Sequence, residues 1–271
     1  AGSGEELHVF DPCVIRQGTE YWMYYGARPS HTIRRATSTD GVSWTRAGVC
    51  ISAGDWYDVR GVGDAVVLAW QGEYWMWYQA RDVDDVYRIA LARSPDGVNW
   101  TKSGFVLETD AEPPSRGLDG PHVLESDDEL FMCYGRYSAE NILELCLATS
   151  SDGLAWSPSG ANPVLADVPW AEHVGDPCAF IAGGAHHLYF QGNSAEHYEI
   201  GYAISADGED WTLHPGGPVL SYVPGSAWEH TWVADPCVIA DETGWLMWYG
   251  AAGPPWQIGL ATAVFSVPEV V

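Results

Sequence analysis

A short signature, Asp-Gly-x-x-Trp, recurs four times in this chain at almost constant spacing. It reads Ser38-Thr-Asp40-Gly41-Val-Ser-Trp44, Ser94-Pro-Asp96-Gly97-Val-Asn-Trp100, Ser150-Ser-Asp152-Gly153-Leu-Ala-Trp156 and Ser205-Ala-Asp207-Gly208-Glu-Asp-Trp211. The steps from Trp to Trp are 56, 56 and 55 residues. Self-similarity of this kind means that one supersecondary unit is copied and stacked, which constrains the fold more than any composition does.

Each copy closes a longer pattern. Upstream stands an Asp at the head of a short, mostly apolar run: Asp11-Pro-Cys-Val-Ile, Asp64-Ala-Val-Val-Leu, Asp119-Gly-Pro-His-Val, Asp176-Pro-Cys-Ala-Phe and a fifth, Asp235-Pro-Cys-Val-Ile. An aromatic run follows, as in Tyr21-Trp-Met-Tyr-Tyr-Gly26, Tyr74-Trp-Met-Trp-Tyr-Gln79 and His187-Leu-Tyr-Phe-Gln-Gly192, then a third run such as Ile33-Arg-Arg-Ala-Thr-Ser38. These runs are short, rich in β-branched and aromatic residues, and bounded by Gly, Asp and Pro, which is strand punctuation. Asp-Gly between two strands is a hairpin signal, because Gly accepts positive φ.

Each unit is therefore a four-stranded antiparallel meander, and five of them make an all-β, five-bladed β-propeller in a single domain over 1–271. The expected blades cover about 11–48, 64–104, 119–160, 176–216 and 235–271. No Asp-Gly-x-x-Trp follows Ala263, so the outer strand of blade 5 is expected from 266–271 or from the N-terminal segment before Asp11.

Formal net charge is −25 with a single lysine, Lys102. That charge opposes binding to nucleic acid or to anionic membranes. No 18-residue apolar run occurs in the sequence. Cys13, Cys178 and Cys237 hold one repeat position in three blades and so lie in separate sheets, which disfavours pairing among them. The six cysteines read as reduced thiols, leaning toward a reducing compartment, although secretion stays open. No C-x-x-C pair suggests a metal site.

Propeller topology puts the start of each innermost strand at one mouth of the central channel and Asp-Gly-x-x-Trp on the opposite face. At that mouth the sequence supplies Asp11, Asp64, Asp119, Asp176 and Asp235. Loops expected beside them carry Trp170, Glu172 and His173, then Trp228, Glu229 and His230. Arg28, Arg81 and Arg136 follow the second strands of blades 1 to 3, and Arg60 and Arg116 precede Asp64 and Asp119. Five of eleven arginines on one face suit either ion pairing with the acidic ring or forked hydrogen bonds to an anionic or polyhydroxyl ligand. Aromatics, carboxylates and arginines around one mouth fit a small-molecule or oligosaccharide substrate.

On Asp11-Pro-Cys-Val-Ile, Tyr21-Trp-Met-Tyr-Tyr and Ser-x-Asp-Gly-x-x-Trp, the chain resembles the five-bladed propellers of the arabinanase, β-xylosidase and invertase group of glycoside hydrolases (family 43-like). The resemblance implies a base or nucleophile at Asp11 and an orienting, pKa-tuning carboxylate at Asp119. It implies a proton donor at the blade 4 position, where the family has Glu and this chain has Asp176. Asp is one methylene shorter, so either Asp176 donates across a reshaped pocket, or Glu172 takes the role, or the chain does not hydrolyse glycosides. A phosphate-using relative would suit the arginines. A carbohydrate-binding propeller without catalysis, and a repurposed enzyme in which His8, His122, His173 or His230 joins the carboxylates around a cation, are the other readings. No cofactor is expected, with a divalent cation in the central channel left open, and the oligomeric state is not read from the sequence.

Overall fold

The structure, a computed structural model, describes residues 6–109, 116–126, 129–194, 197–241, 244–253 and 255–263. Every regular element among them is a strand. The strands form five antiparallel sheets, each built from consecutive strands in simple meander order. Four sheets have four strands, and the fifth has three among the described residues. The innermost strands are Glu6–Gln17, Gly61–Trp70, Leu118–Ser126, His173–Ala182 and Trp232–Asp241. They pack against one another around the axis of a five-bladed β-propeller.

One sequence expectation needs correction. Residues from Glu6 onward do not supply the outer strand of blade 5; they extend the innermost strand of blade 1, pairing His8 with Arg28 and Phe10 with Gly26. The other candidate, 266–271, lies outside the described residues. A second correction concerns the aromatic strand of blade 4. His186 pairs with Ser205 as Tyr21 pairs with Ser38, so Gln191, not Gly192, stands where Gly26 stands in blade 1.

The core lies between blades rather than within them. Trp77, Trp248, Tyr24, Tyr78 and Phe190 are its largest fully buried side chains. Each such ring removed from water contributes on the order of 1.5–3 kcal/mol. The Asp-Gly turns join this packing. In the first, Asp40 Oδ1 accepts from Val42 N and Ser43 N at 2.8 and 2.7 Å, while Gly41 takes φ 72°. The freed Gly41 carbonyl accepts from its own Trp44 at 3.1 Å and from Trp248 of blade 5 at 2.9 Å. Tyr24 and Trp77 donate in the same way to Gly97 and Gly153 of the following blades. The repeat is therefore an inter-blade latch at the strand ends far from the acidic mouth.

A second latch runs around the channel and accounts for the repeated cysteines. Cys13 Sγ accepts from Val67 N of blade 2 at 3.3 Å, Cys178 Sγ from Val238 N of blade 5 at 3.2 Å, and Cys237 Sγ from Val14 N of blade 1 at 3.1 Å. In blade 3 the equivalent residue is His122, whose ring bonds to the Ala179 backbone; burial pushes its pKa down to about 4, so it is neutral. All six cysteines are unpaired. Removing a thiol acceptor strands a buried amide, which costs about 1–3 kcal/mol. Cys178→Ala is accordingly expected to lower unfolding stability by about 2 kcal/mol, read from the urea midpoint at constant m. An unchanged midpoint would show that the Val238 amide does not depend on this sulfur.

Candidate active site

Near its start each innermost strand slips register against its neighbour, between Phe10 and Cys13 in blade 1 and at the same place in the other four. In four blades the residue at the slip is an Asp with left-handed backbone: Asp11 at φ 49°, Asp64 at 43°, Asp176 at 44° and Asp235 at 53°. A non-glycine residue held there costs about 1–3 kcal/mol and is characteristic of functional sites; Asp tolerates it better than most. The slip turns these carboxylates toward the axis.

Blade 3 departs from the expected five-fold equivalence. Gly135 pairs with Asp119 and Cys133 with His122, so Gly120, at φ 43°, occupies the slip. Asp119 stands one residue earlier, where the other blades have Phe10, Gly63, Gly175 and Ala234. The reason is room: a Cβ at 120 would come within 2.5 Å of Asp176 Oδ1 and 3.0 Å of its Cα. Gly120 thus vacates a ring position that Asp176 leans into, and Asp119 reaches the floor from beside it. Its carboxylate accepts from Tyr137 Oη at 3.1 Å, from Gly120 N at 3.0 Å and from the Gln79 amide.

The five carboxylates form one hydrogen-bonded and mutually repelling cluster. Asp11 N donates to Asp235 Oδ2 at 3.3 Å, and Asp64 N to Asp11 Oδ2 at 3.4 Å. Burial pushes Asp11 and Asp176 well above the usual carboxylate range, with the Asp64 charge the next cause in both. Burial and then Asp64 raise Asp119 to about 8, against the pull of Tyr137 and Gln79. Burial and then Asp64 also raise Asp235 to about 6, opposed by the bonds it receives from Asp11. At neutral pH such a floor holds protons and negative charge side by side. Those are the two states that general acid and general base chemistry need. The protons belong to the cluster rather than to single residues.

Above the floor lies a cavity of about 300 Å³ with two unlike walls. Blades 1 and 2 contribute Arg28, His31, Arg60 and Arg81. Blades 4 and 5 contribute Tyr198, Trp232 and Trp256, with ring centroids 5.9 Å apart for the first pair and 5.3 Å for the second. Phe10, Gln79, Tyr87 and Gln191 also line it, and below the floor the channel narrows to about 50 Å³ between Cys13, His122 and Cys237.

The structure thus brings Asp11, Asp64, Asp119, Asp176, Asp235, Arg28, Arg60 and Arg81 together, and leaves the other sequence candidates out of the lining. Trp170 stacks on Phe190 at 5.9 Å, and Trp228 packs on Tyr249 at 5.8 Å. His173 Nδ1 accepts from Leu143 N at 3.0 Å, and Glu229 from Tyr249 Oη at 3.1 Å. His230 lies against Gly253, and Glu172 is exposed. His8 accepts from Trp256 N at 3.1 Å. Arg136 bonds to Glu144 at 3.3 Å and Arg116 sits 5.7 Å over Tyr137. Most of these residues fold back onto their own blades, while His173 and His8 tie blade 4 to blade 3 and blade 1 to blade 5. Asp58, from the same class of loop, is fully buried and binds Lys102, the chain's one lysine, at 2.5 Å. His31, Gln79, Gln191, Tyr198, Trp232 and Trp256 are among the lining residues that motif reading missed. Among the described residues, oxygens of Asp64, Asp119 and Asp176 lie within 4.8 Å of one another. An all-oxygen donor set of that kind suits a hard divalent cation such as Ca²⁺ or Mg²⁺.

The propeller fold is shared with solved glycoside hydrolases. A thermostable family-43 glycoside hydrolase superposes with a TM-score of 0.81 at 18% identity, over 96% of this chain and 90% of that one. A family model for the glycosyl hydrolases family 32 N-terminal domain matches residues 64–229, and the chain belongs to that family. It is 32% identical over 135 residues to an uncharacterized protein of Mycobacterium tuberculosis, covering 45% of this chain and 44% of the relative. It is 29% identical over 148 residues to arabinan endo-1,5-alpha-L-arabinosidase B of Emericella nidulans, covering 49% and 36%. It is 25% identical over 199 residues to a 1,2-beta-oligomannan phosphorylase of Thermoanaerobacter sp., covering 67% and 61%. In each case the match spans less than two thirds of the relative's length.

Proposed function

We propose that the protein is an enzyme that cleaves a glycosidic bond at the mouth of its central channel. The observation that carries this reading is the convergence of five carboxyl groups on one confined floor facing an aromatic wall. In it, Asp176 is the proton donor to the leaving oxygen. Burial first, and then the charge of Asp64, hold its pKa well above the usual carboxylate range. Asp11, whose Oδ2 accepts from Asp64 N at 3.4 Å, supplies the base or nucleophile. Asp119, held in place by Tyr137 and Gln79, is the neighbour that tunes Asp176, adding its charge as it ionises at about 8. Two carboxyl groups of unlike protonation flanking the anomeric carbon are the minimum for this chemistry. The rings of Trp232, Trp256 and Tyr198 give a sugar an apolar face to lie on. Similarity to an arabinosidase and to an oligomannan phosphorylase supports carbohydrate as the substrate class.

The test is turnover of a panel of aryl glycosides and β- and α-linked oligosaccharides by the wild type and by Asp11→Asn. The variant keeps the side-chain shape and removes the charge, so the fold is retained and turnover falls at least about a hundredfold. Full activity in a folded Asp11→Asn protein removes this residue from the chemistry. Sugar binding with no turnover of any substrate by the wild type favours a lectin-like role instead.

A further inference from the structure

Three seams between blades are closed by the same pair of rings. Trp248, Tyr24 and Trp77 donate to the glycine carbonyls of the next blade's turn, Gly41, Gly97 and Gly153, at 2.9, 2.9 and 3.2 Å. Each of these rings also stands edge-on to the tryptophan of that turn. The centroids are 6.2 Å apart for Trp248 and Trp44, 5.7 Å for Tyr24 and Trp100, and 6.0 Å for Trp77 and Trp156. Strand register sets Cys133 at the same place in blade 3: it pairs with Leu147 as Tyr24 pairs with Arg35 and Trp77 with Leu91. A cysteine is several atoms shorter than any of those rings. A Cβ at Gly41, Gly97 or Gly153 would meet the ring from the preceding blade, but the three atoms nearest a Cβ at Gly208 all belong to His186 of its own blade. Trp211 Nε1 is buried, and among the described residues nothing accepts its hydrogen bond. Where the ring would stand there is a cavity of about 120 Å³, bounded by Phe131, Cys133, Leu147, Ala179, Gly208 and Trp211. The seam around it is closed. Leu143 N donates to His173 at 3.0 Å, the His122 ring bonds to the Ala179 backbone, and Ser159 Oγ donates to Glu209 Oε1 at 2.8 Å. A space pinned in this way cannot collapse onto itself, and an unfilled one is destabilising.

We propose that the cavity between blades 3 and 4 is a binding site for a small neutral phenol, whose ring replaces the missing latch side chain and whose hydroxyl donates to the Gly208 carbonyl. Tyr24 shows the arrangement within the same molecule, with its hydroxyl on the Gly97 carbonyl and its ring edge-on to Trp100. The size is right for one six-membered ring, since an apolar protein cavity of about 150 Å³ takes up benzene. The chemistry of the walls selects a neutral ligand. Burial keeps the Cys133 thiol protonated. Asp207 and Glu209 stand at the edge of the cavity, and backbone amides hold Asp207 down at about 2, so an anion is repelled. Leu124 and Ala179, on the strands that carry Asp119 and Asp176, line the same cavity, so a ring in it braces those two strands against each other. The site lies apart from the acidic floor and does not rest on the glycosidic reading.

The experiment is titration of the whole protein with phenol and with toluene, followed by NMR of the Trp211 indole N–H, which Trp211→Phe assigns by its loss. This resonance reports on the cavity alone and is blind to any ring stacked at the channel mouth. Phenol is expected to shift it saturably with a Kd on the order of 1 mM or tighter. Toluene has the ring without the donor and should bind at least about fivefold more weakly. Cys133→Tyr carries its own ring and hydroxyl into the cavity, so it should raise the melting temperature and abolish the response to phenol. If that variant does not fold, Cys133→Met fills the same space without a donor and should weaken phenol instead. The proposal is overturned if phenol leaves the Trp211 resonance unmoved, if toluene binds as tightly as phenol, or if a folded filling variant responds to phenol as the wild type does.

Discussion

Asp176→Asn is expected to lower turnover of glycosides with poor leaving groups by about 100- to 10,000-fold, the usual range for a positioned general acid. The same variant should keep much of its activity on dinitrophenyl glycosides, whose leaving oxygen departs without a proton. Asparagine has the shape of aspartic acid and can occupy the space that Gly120 opens at 2.5 Å from the carboxyl oxygen, so the floor stays intact. What it lacks is an acid proton. The sign of the pH profile follows from the same assignment. A donor must be protonated to act, and a raised pKa extends its useful range upward, so wild-type activity should persist through neutral pH and fall on the alkaline side. Asp119, pushed to about 8, ionises on that alkaline side and adds a charge next to Asp176. Asp176→Asn should abolish the alkaline limb on poor leaving groups. Equal losses on both substrate types would assign Asp176 to binding or to the base.

The architecture was legible because propeller repeats write themselves into turns. An Asp-Gly pair that needs positive φ and an oxygen acceptor for the next amides has few sequence solutions, so Asp40, Asp96, Asp152 and Asp207 stand out unaided. The floor was legible for the same reason, because Asp at the head of a strand repeats. Its geometry was not, since a pairing slip leaves no mark in composition. One signal was present in blade 3: aligning Pro121 with Pro12, Pro177 and Pro236 sets Gly120, not Asp119, at the slip. Another lay at the end of each aromatic strand. Where the innermost strand carries the Phe10 side chain the partner position is Gly26, because a Cβ there would strike the ring at 2.6 Å. Where the innermost strand has Gly63 or Gly175, the partner is Gln79 or Gln191, and both line the cavity. The loop aromatics misled because Trp170 and Trp228 look like sugar platforms in sequence. Both lie over glycines of their own blades, where a Cβ at Gly192 or Gly259 would come within 2.4 or 2.3 Å. Choosing between a ring turned to solvent and one turned to its own sheet requires the fold.

Asp64→Asn should make the protein more stable above neutral pH and less active throughout. Asp64 is the first-ranked charge acting on Asp11, Asp119, Asp176 and Asp235, behind burial in every case. A carboxyl whose folded pKa is raised holds a proton that the unfolded chain has already released. For Asp235, at about 6, and Asp119, at about 8, stability is therefore lost as pH rises from about 4 through those values. Removing the Asp64 charge lowers both, so the gain should be near zero at pH 4 and grow toward pH 8. One unit of relief is worth about 1.4 kcal/mol, and for a chain of this size the melting temperature at pH 8 should rise by roughly 3–6 °C. The exposed turn carboxylates run the other way. Asp40 and Asp207 are held at about 2 by backbone amides, so their contribution is lost only as pH falls below 4, outside the window of the floor. The two groups of Asp thus separate on the pH axis, and thermal melts at pH 2, 4, 6 and 8 resolve them. A variant that is less stable than wild type at pH 8 would mean that repulsion is already offset, as a cation among Asp64, Asp119 and Asp176 would do. Higher stability bought with lost turnover would mark the floor as a site where like charge is kept close for its chemistry and at the expense of the fold.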